Sequence, residues 1–266
     1  MRPKVMGIVN VTPDSFSDGG RLTTVEAALA HALRLVEQGA DILDIGGEST
    51  RPGATPVATE EEIARVVPLI EALRARWPGP ISIDTMKPEV ARAAVAAGAT
   101  MWNDVTALSH APHSLSTAAA LGCDVVLMHM KGEPRTMQQA PAYDDVVSEV
   151  VAQLAGRAEA AMAAGVARDR LWLDPGIGFG KTPAHNLALT VQLSSLAALG
   201  FPIVYGASRK RMIQSLDPTA VDPSDRIGGS LALALEAARN GAEIVRVHDV
   251  RETVQALRVQ AALRAQ

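Results

Sequence analysis

Apolar residues fall along this chain in short unbroken runs, and between the runs they return at the three- and four-residue spacing of an amphipathic helix. Val5 to Val11 is the first run, and the Pro, Gly and Ser-rich segment 12–20 that follows it predicts a loop. Val25, Ala28, Leu29, Ala32, Leu33, Leu35 and Val36 then predict a helix over 24–38, with Gly39 as its stop. The unit recurs. Strands are predicted at 41–47, 81–84, 101–105, 124–129, 171–174, 203–208 and 243–248. Helices are predicted at 59–76, 88–97, 113–121, 144–164, 184–199, 226–240 and 250–265. Eight strands alternate strictly with eight helices, which demands a parallel sheet, either open and doubly wound or closed into a barrel. The strand interiors are apolar throughout, as strands buried on both faces should be. With 266 residues and no linker or composition shift, the expected fold is α/β, a (β/α)8 TIM barrel forming one domain over 1–266.

Composition narrows the function. The chain is 48% hydrophobic and 20% charged with a formal net charge of -4, enough apolar content for a full core and no basic block for nucleic acid. No apolar run approaches the roughly 18 residues needed to cross a bilayer, and no basic-then-apolar signal opens the chain. The expectation is a cytoplasmic protein without membrane or nucleic-acid partners. Cys123 is the only cysteine, which excludes disulfides and thiolate metal clusters within one chain and suits a small core residue.

In a barrel the chemistry sits at the carboxyl ends of the strands. Those ends read Asn10, Glu48-Ser49-Thr50-Arg51, Asp84, Asn103-Asp104, His129, Asp174, Ser208-Arg209-Lys210 and Arg246-Val247-His248, so every strand is expected to deliver a polar group to one rim. Asp84, Asn103 and Asp174, with Lys210, suit the edge of a flat, nitrogen-rich heterocycle, since a carboxylate accepts two parallel N–H bonds. Arg246 alone would suit a surface ion pair. With His248 on the same side of the last strand, and Asn10 and Thr50 on strands closing beside it, the group suits a phosphate. No histidine pair has helical metal spacing beside a carboxylate, so zinc is not expected. Mg²⁺ needs only one or two protein oxygens besides substrate phosphates, and Asn10 could suffice. Ser208 is not in a nucleophile elbow, because Lys210 stands where the closing glycine should be; a Schiff-base role for Lys210 stays open. Gly180-Lys181-Thr182 ends like a P-loop, but Pro175 replaces its first glycine. Residues 12–20 and 49–58 are long loops that could close over a reacting centre, with Phe16 as an apolar anchor, or simply pack on the surface.

Five ordered segments together resemble the dihydropteroate synthase family: Asn10-Val11-Thr12-Pro13-Asp14-Ser15-Phe16-Ser17-Asp18-Gly19-Gly20, Gly46-Gly47-Glu48-Ser49-Thr50-Arg51-Pro52-Gly53, Asp174-Pro175-Gly176-Ile177-Gly178-Phe179-Gly180-Lys181, Ser208-Arg209-Lys210 and Arg246-Val247-His248-Asp249-Val250. The resemblance implies a barrel transferase that joins 4-aminobenzoate to a dihydropterin carrying a CH₂ diphosphate, in a Mg²⁺-dependent step of folate biosynthesis. It puts the pterin on Asp84, Asn103, Asp174 and Lys210, with Met128, Phe179 and Gly206 shaping the pocket and Arg246 over the ring. Diphosphate would lie on Asn10, Thr50, Arg246, Val247 and His248, with Mg²⁺ on Asn10. Phe16, Arg51 and Pro52 would form the aminobenzoate slot beside Lys210. Asp18, Asp84, Asp174 and Lys210 would be the catalytic groups. The family also implies a homodimer through helices of the later half of the barrel. Two other readings share parts of this pattern, a methyltetrahydrofolate-binding methyltransferase barrel and a pterin-binding barrel without turnover. The diphosphate residues and Ser208-Arg209-Lys210 argue against the first, and the long loops against the second.

Overall fold

The computed structural model describes residues 2–11, 21–49, 55–133 and 136–265. Eight strands, β1 (Lys4–Asn10), β2 (Ile42–Gly46), β3 (Ile81–Asp84), β4 (Met101–Asp104), β5 (Asp124–Met128), β6 (Leu171–Asp174), β7 (Ile203–Tyr205) and β8 (Ala242–Val247), run parallel and close into a barrel in sequence order. The open-sheet alternative is thereby excluded. Closure joins β1 to β8, with Met6 beside Arg246 and Gly7 beside Val247.

Side chains alternate across a strand, so each strand sends one set into the lumen and the other toward the helices. Met6, Ile42, Met101, Val126, Val204 and Ile244, with Trp172 against them, fill the lumen floor as a cluster separate from the main core. Two residues further along the same strands the floor gives way to Asp44, Asn103, Met128, Asp174, Gly206 and Arg246. The period of two thus stacks a polar layer directly on an apolar one. The outward set, including Val5, Val9, Leu43, Ile45, Ile81, Ile83, Leu171, Leu173, Val245 and Val247, packs beneath the helices in the main core. In the second helix Val66, Leu69, Ile70 and Leu73 are fully buried, and each such side chain contributes about 1.5–3 kcal/mol over exposure.

Ten helices surround the barrel among the described residues: α1 (Arg21–Glu37), α2 (Thr59–Arg74), α3 (Pro88–Ala96), α4 (Ser114–Leu121), α5 (Val146–Ala163), α6 (Pro183–Val191), α7 (Leu193–Ala197), α8 (Arg211–Leu216), α9 (Ile227–Arg239) and α10 (Val250–Leu263). None is long and apolar enough to cross a membrane. The helix predicted over 184–199 is two, broken at Gln192. Leu189, Leu193 and Leu196 keep helical spacing across the break, so the apolar pattern does not reveal it. α8 and a 3-10 turn over Pro223–Arg226 were not predicted either, because Pro218 and Pro223 interrupt any periodicity there. β7 ends at Tyr205 rather than at 208, which frees Gly206 to Lys210 from the ladder.

Candidate active site

The centre of the polar layer is an ion cluster. Arg246 on β8 donates from Nε to Asp44 Oδ2 at 2.5 Å and from Nη2 to Asp84 Oδ2 at 2.6 Å. Asn103 on β4 donates from Nδ2 to the same Asp44 oxygen at 3.2 Å. Asp44 is wholly buried, so the ion pair that suits Arg246 lies inside the lumen rather than on the surface. An anion only accepts, so Asp44 fixes the amide polarity of Asn103 and leaves its carbonyl oxygen for a ligand. Burial pushes the Asp84 carboxyl above the ordinary carboxylate range, against the pull of Arg246 and with added repulsion from Asp44.

Asp174 ends β6, nearly buried, and its Oδ1 accepts from Gly176 N at 2.7 Å. Burial raises its pKa while the Lys210 charge opposes the rise. Gly206 lies between Asp174 and Arg246, where a Cβ would stand 3.9 Å from Asp174 Oδ2 and 3.6 Å from Arg246 Cβ; its bare backbone keeps this side of the pocket open. Met128, paired with Asp174 across β5 and β6, closes the apolar side.

Lys210 is aimed by a strained turn. Arg209 takes a left-handed φ of 60°, unusual for a residue with a side chain, and is held there by Asp249 at 3.0 Å and by Ser230 Oγ on its backbone N–H at 2.9 Å. The turn sends Ser208 toward His248 and Lys210 toward the loop after β6. There Lys210 Nζ donates to the Ile177 carbonyl and sits 4.5 Å from the centre of the Phe179 ring. Burial draws the Lys210 ammonium down to about 8 in spite of Asp174.

Beside this lies a corner suited to an anion. His248 N donates to Ser208 Oγ at 3.2 Å, and Ser208 Oγ is 3.1 Å from His248 Nδ1. A hydroxyl that accepts from one can donate to the other, which puts the imidazole proton on Nε2. Asn10 ends β1 on the lumen side, and its amide has no hydrogen-bond partner among the described residues. Val247 behaves differently: its side chain is buried in the main core, so only its backbone can reach a ligand. Phe16, Asp18, Thr50, Arg51 and Pro52 lie outside the described residues.

Of the strand-end residues, Glu48 and Arg209 are taken up by ion pairs with Lys87 and Asp249, and two others do not join the rim at all. His129 and Asp104 fall on the outward phase of their strands. His129 is buried and held neutral by burial and the Lys181 charge, with a pKa lowered to about 3. Asp104 accepts from the backbone and hydroxyl of Thr106 at 2.7 Å and from Leu108 N at 2.9 Å, which shapes the turn after β4. Conversely, Asp44 belongs to the lumen layer although it stands at no strand end. Its signal is the one acid inside the apolar run 42–46, on the lumen phase two residues above Ile42.

A family model described as "Pterin binding enzyme" matches residues 6–248. The dihydropteroate synthase of Escherichia coli K12 is 50% identical over 257 residues, 97% of this chain and 90% of that protein. A Xanthomonas albilineans dihydropteroate synthase solved with 4-aminobenzoic acid superposes with a TM-score of 0.94 at 57% identity, covering 100% of this chain and 94% of that one. A structure of the synthase from the same organism in complex with 7,8-dihydropteroate gives a TM-score of 0.90 at 54% identity, with 100% and 95% covered. With the lumen layer and the full-length match in agreement, this chain belongs to the dihydropteroate synthase family of pterin binding enzymes.

Proposed function

We propose that this chain condenses 6-hydroxymethyl-7,8-dihydropterin diphosphate with 4-aminobenzoate, forming 7,8-dihydropteroate and releasing diphosphate. The observation that carries the reading is the acceptor layer of Asp84, Asp174 and the Asn103 carbonyl around one lumen, flanked by Arg246 and Lys210. A pterin edge rich in N–H donors satisfies such a layer, and each charge-assisted bond contributes about 1.5–3 kcal/mol.

The electron-rich dihydropterin delocalises positive charge on its CH₂ group, so the C–O bond breaks first and its electron pair leaves with the diphosphate. Asp84 and Asp174 stabilise the cation, and Arg246 and His248 receive the leaving anion. The aniline nitrogen then forms the C–N bond and gives up its proton to the released diphosphate or to solvent. Its part needs position and dry surroundings more than activation. Mg²⁺ fits the Asn10 corner, where an amide oxygen is open to a ligand and substrate oxygens would complete the shell, and when bound it neutralises charge on the diphosphate.

Diphosphate release by the purified protein with the pterin diphosphate, Mg²⁺ and 4-aminobenzoate tests this. Release is expected to depend on aminobenzoate, and Asp174→Asn is expected to lower kcat/KM at least about tenfold through one weakened ionic contact. Release that ignores aminobenzoate would sink the synthase reading.

The reading extends to a homodimer. Leu187 and Val191 on α6, with Leu216 on α8 and Val221 just after it, are exposed apolar side chains on neighbouring elements, and a second copy would cover them. Val191→Glu is expected to shift sedimentation from dimer to monomer. The free buried Cys123 and the absence of a membrane-crossing helix among the described residues agree with a cytoplasmic setting.

A further inference from the structure

The P-loop-like Gly180-Lys181-Thr182 does not make a phosphate cradle. Thr182 caps α6, accepting from His185 N at 3.2 Å, and Lys181 turns back into its own loop. Lys181 is 2% exposed, and four acceptors surround its ammonium. Two belong to the end of β5, His129 Nδ1 at 2.8 Å and the His129 carbonyl at 3.3 Å. Two belong to the loop after β6, the carbonyls of Gly176 at 2.9 Å and Phe179 at 3.0 Å. The neutral His129 ring offers a lone pair at Nδ1, so its own proton sits on Nε2.

The loop pinned in this way lies hard against the chain after β5. Gly176 and Gly180 take left-handed φ of 66° and 65°, and a Cβ at either would run into the carbonyls of His129 or Lys131. The same loop builds the surroundings of Lys210: the Ile177 carbonyl, the Phe179 ring, and Gly178, where a Cβ would stand 3.0 Å from Lys210 Cδ.

We propose that Lys181 is a positioning residue for the reaction, a buried ammonium strut that folds the β6 loop onto the end of β5 and so fixes the Lys210 ammonium facing Asp174. The proposal rests on the assignment of Lys210 and Asp174 to the pterin. Without the strut, the carbonyls of His129 and Phe179 and an imidazole nitrogen lose their donor in a site closed to water, the Gly176 carbonyl keeps only the Phe179 N–H, and the loop must open to satisfy the rest. Lys210 then loses both its carbonyl and its ring. Charge enters as well. Lys181 and Lys210 repel, and both face Asp174, while Arg246 and Asp84 also face Lys210. Burial draws Lys181 itself down to about 7, so its charge acts on Lys210 only toward neutral pH; toward alkaline pH it is the opened loop that relieves the burial of Lys210 and raises its proton affinity.

The test measures steady-state kinetics from neutral to alkaline pH on the full chain. Variants are Lys181→Met, His129→Asn, which keeps an acceptor near Nδ1, and His129→Leu, which removes it. Lys181→Met is expected to lower kcat/KM for the pterin diphosphate by about 10- to 100-fold. Its alkaline limb should move to higher pH. His129→Leu should fall in the same way, and His129→Asn should lose about tenfold less. A folded Lys181→Met within threefold of the parent and with the same alkaline limb overturns the proposal. Equal losses in the two His129 variants overturn it too, and that pair decides the matter if Lys181→Met does not fold. Lys210→Met is run in parallel. If it keeps full activity, the assignment of Lys210 is what fails, not the strut.

Discussion

Replacing Lys210 with methionine is expected to lower kcat/KM by about 10³, the scale of removing one donor from a site where charge develops. The side chain is buried, donates to the Ile177 carbonyl and faces Asp174, so no water can replace its charge without opening the loop after β6. The pH dependence gives a second signature. Burial draws the Lys210 pKa from 10.5 down to about 8, so the ammonium is lost as pH rises through about 8 and the parent should show an alkaline limb there. Lys210→Arg, which keeps its charge, should push that limb to higher pH whatever it costs in position. Stability has the opposite sign. Between about 8 and 10.5 the unfolded chain holds the Lys210 proton and the native state does not. The contribution to stability is therefore full above 10.5 and lost as pH falls through about 8, and the Met variant should lack it. Thermal unfolding across that window, beside the kinetics, checks both signs. A Met variant that keeps the parent's alkaline limb would remove Lys210 from the mechanism.

The barrel was legible because apolar runs and helical spacing alternate without interruption, and the lumen layer because a period of two separates inward from outward residues. That period also marks the limit. Taking every strand end as part of the rim put His129 and Asp104 beside Asp84, whereas alternation turns both of them outward. Asp44 went the other way. A strand end draws attention, yet the acid that organises Arg246 and Asn103 stands in mid-strand, where only its being charged in an apolar run marks it. The spacing around Lys181 suggests only a phosphate loop, since spacing along the chain says nothing of a carbonyl cage assembled from two loops. The turn at Arg209 was equally hidden. Its left-handed backbone depends on Asp249 and Ser230, 40 and 21 residues away in sequence.

Asp44→Asn is expected to be the second most damaging change, lowering kcat/KM for the pterin diphosphate by about 10²-fold although Asp44 need not touch the substrate. In the parent, one oxygen of Asp44 takes Arg246 Nε and Asn103 Nδ2 together, and Asp84 takes the other end of the guanidinium. Neutralising Asp44 leaves Asp84 as the one charged carboxylate hydrogen-bonded to Arg246, with Asp174 acting on it at longer range. The guanidinium then pairs more tightly with Asp84 and competes with the pterin edge for it, so the loss should appear chiefly in KM for the pterin substrate. The acid limb distinguishes this account from simple damage to the fold. Burial, and repulsion from Asp44, both raise the pKa of Asp84. Removing the Asp44 charge lowers it, and the activity that needs an ionised Asp84 should persist to lower pH than in the parent, even as its maximum falls. Asp44→Ala goes further, because the Asn103 amide loses the acceptor that sets its polarity and can turn its NH₂ toward the ligand. Pterin affinity by calorimetry should therefore fall in the order parent, Asn, Ala. An acid limb unmoved in the Asn variant, or a loss confined to kcat, would mean that Asp44 supports the barrel without tuning Asp84.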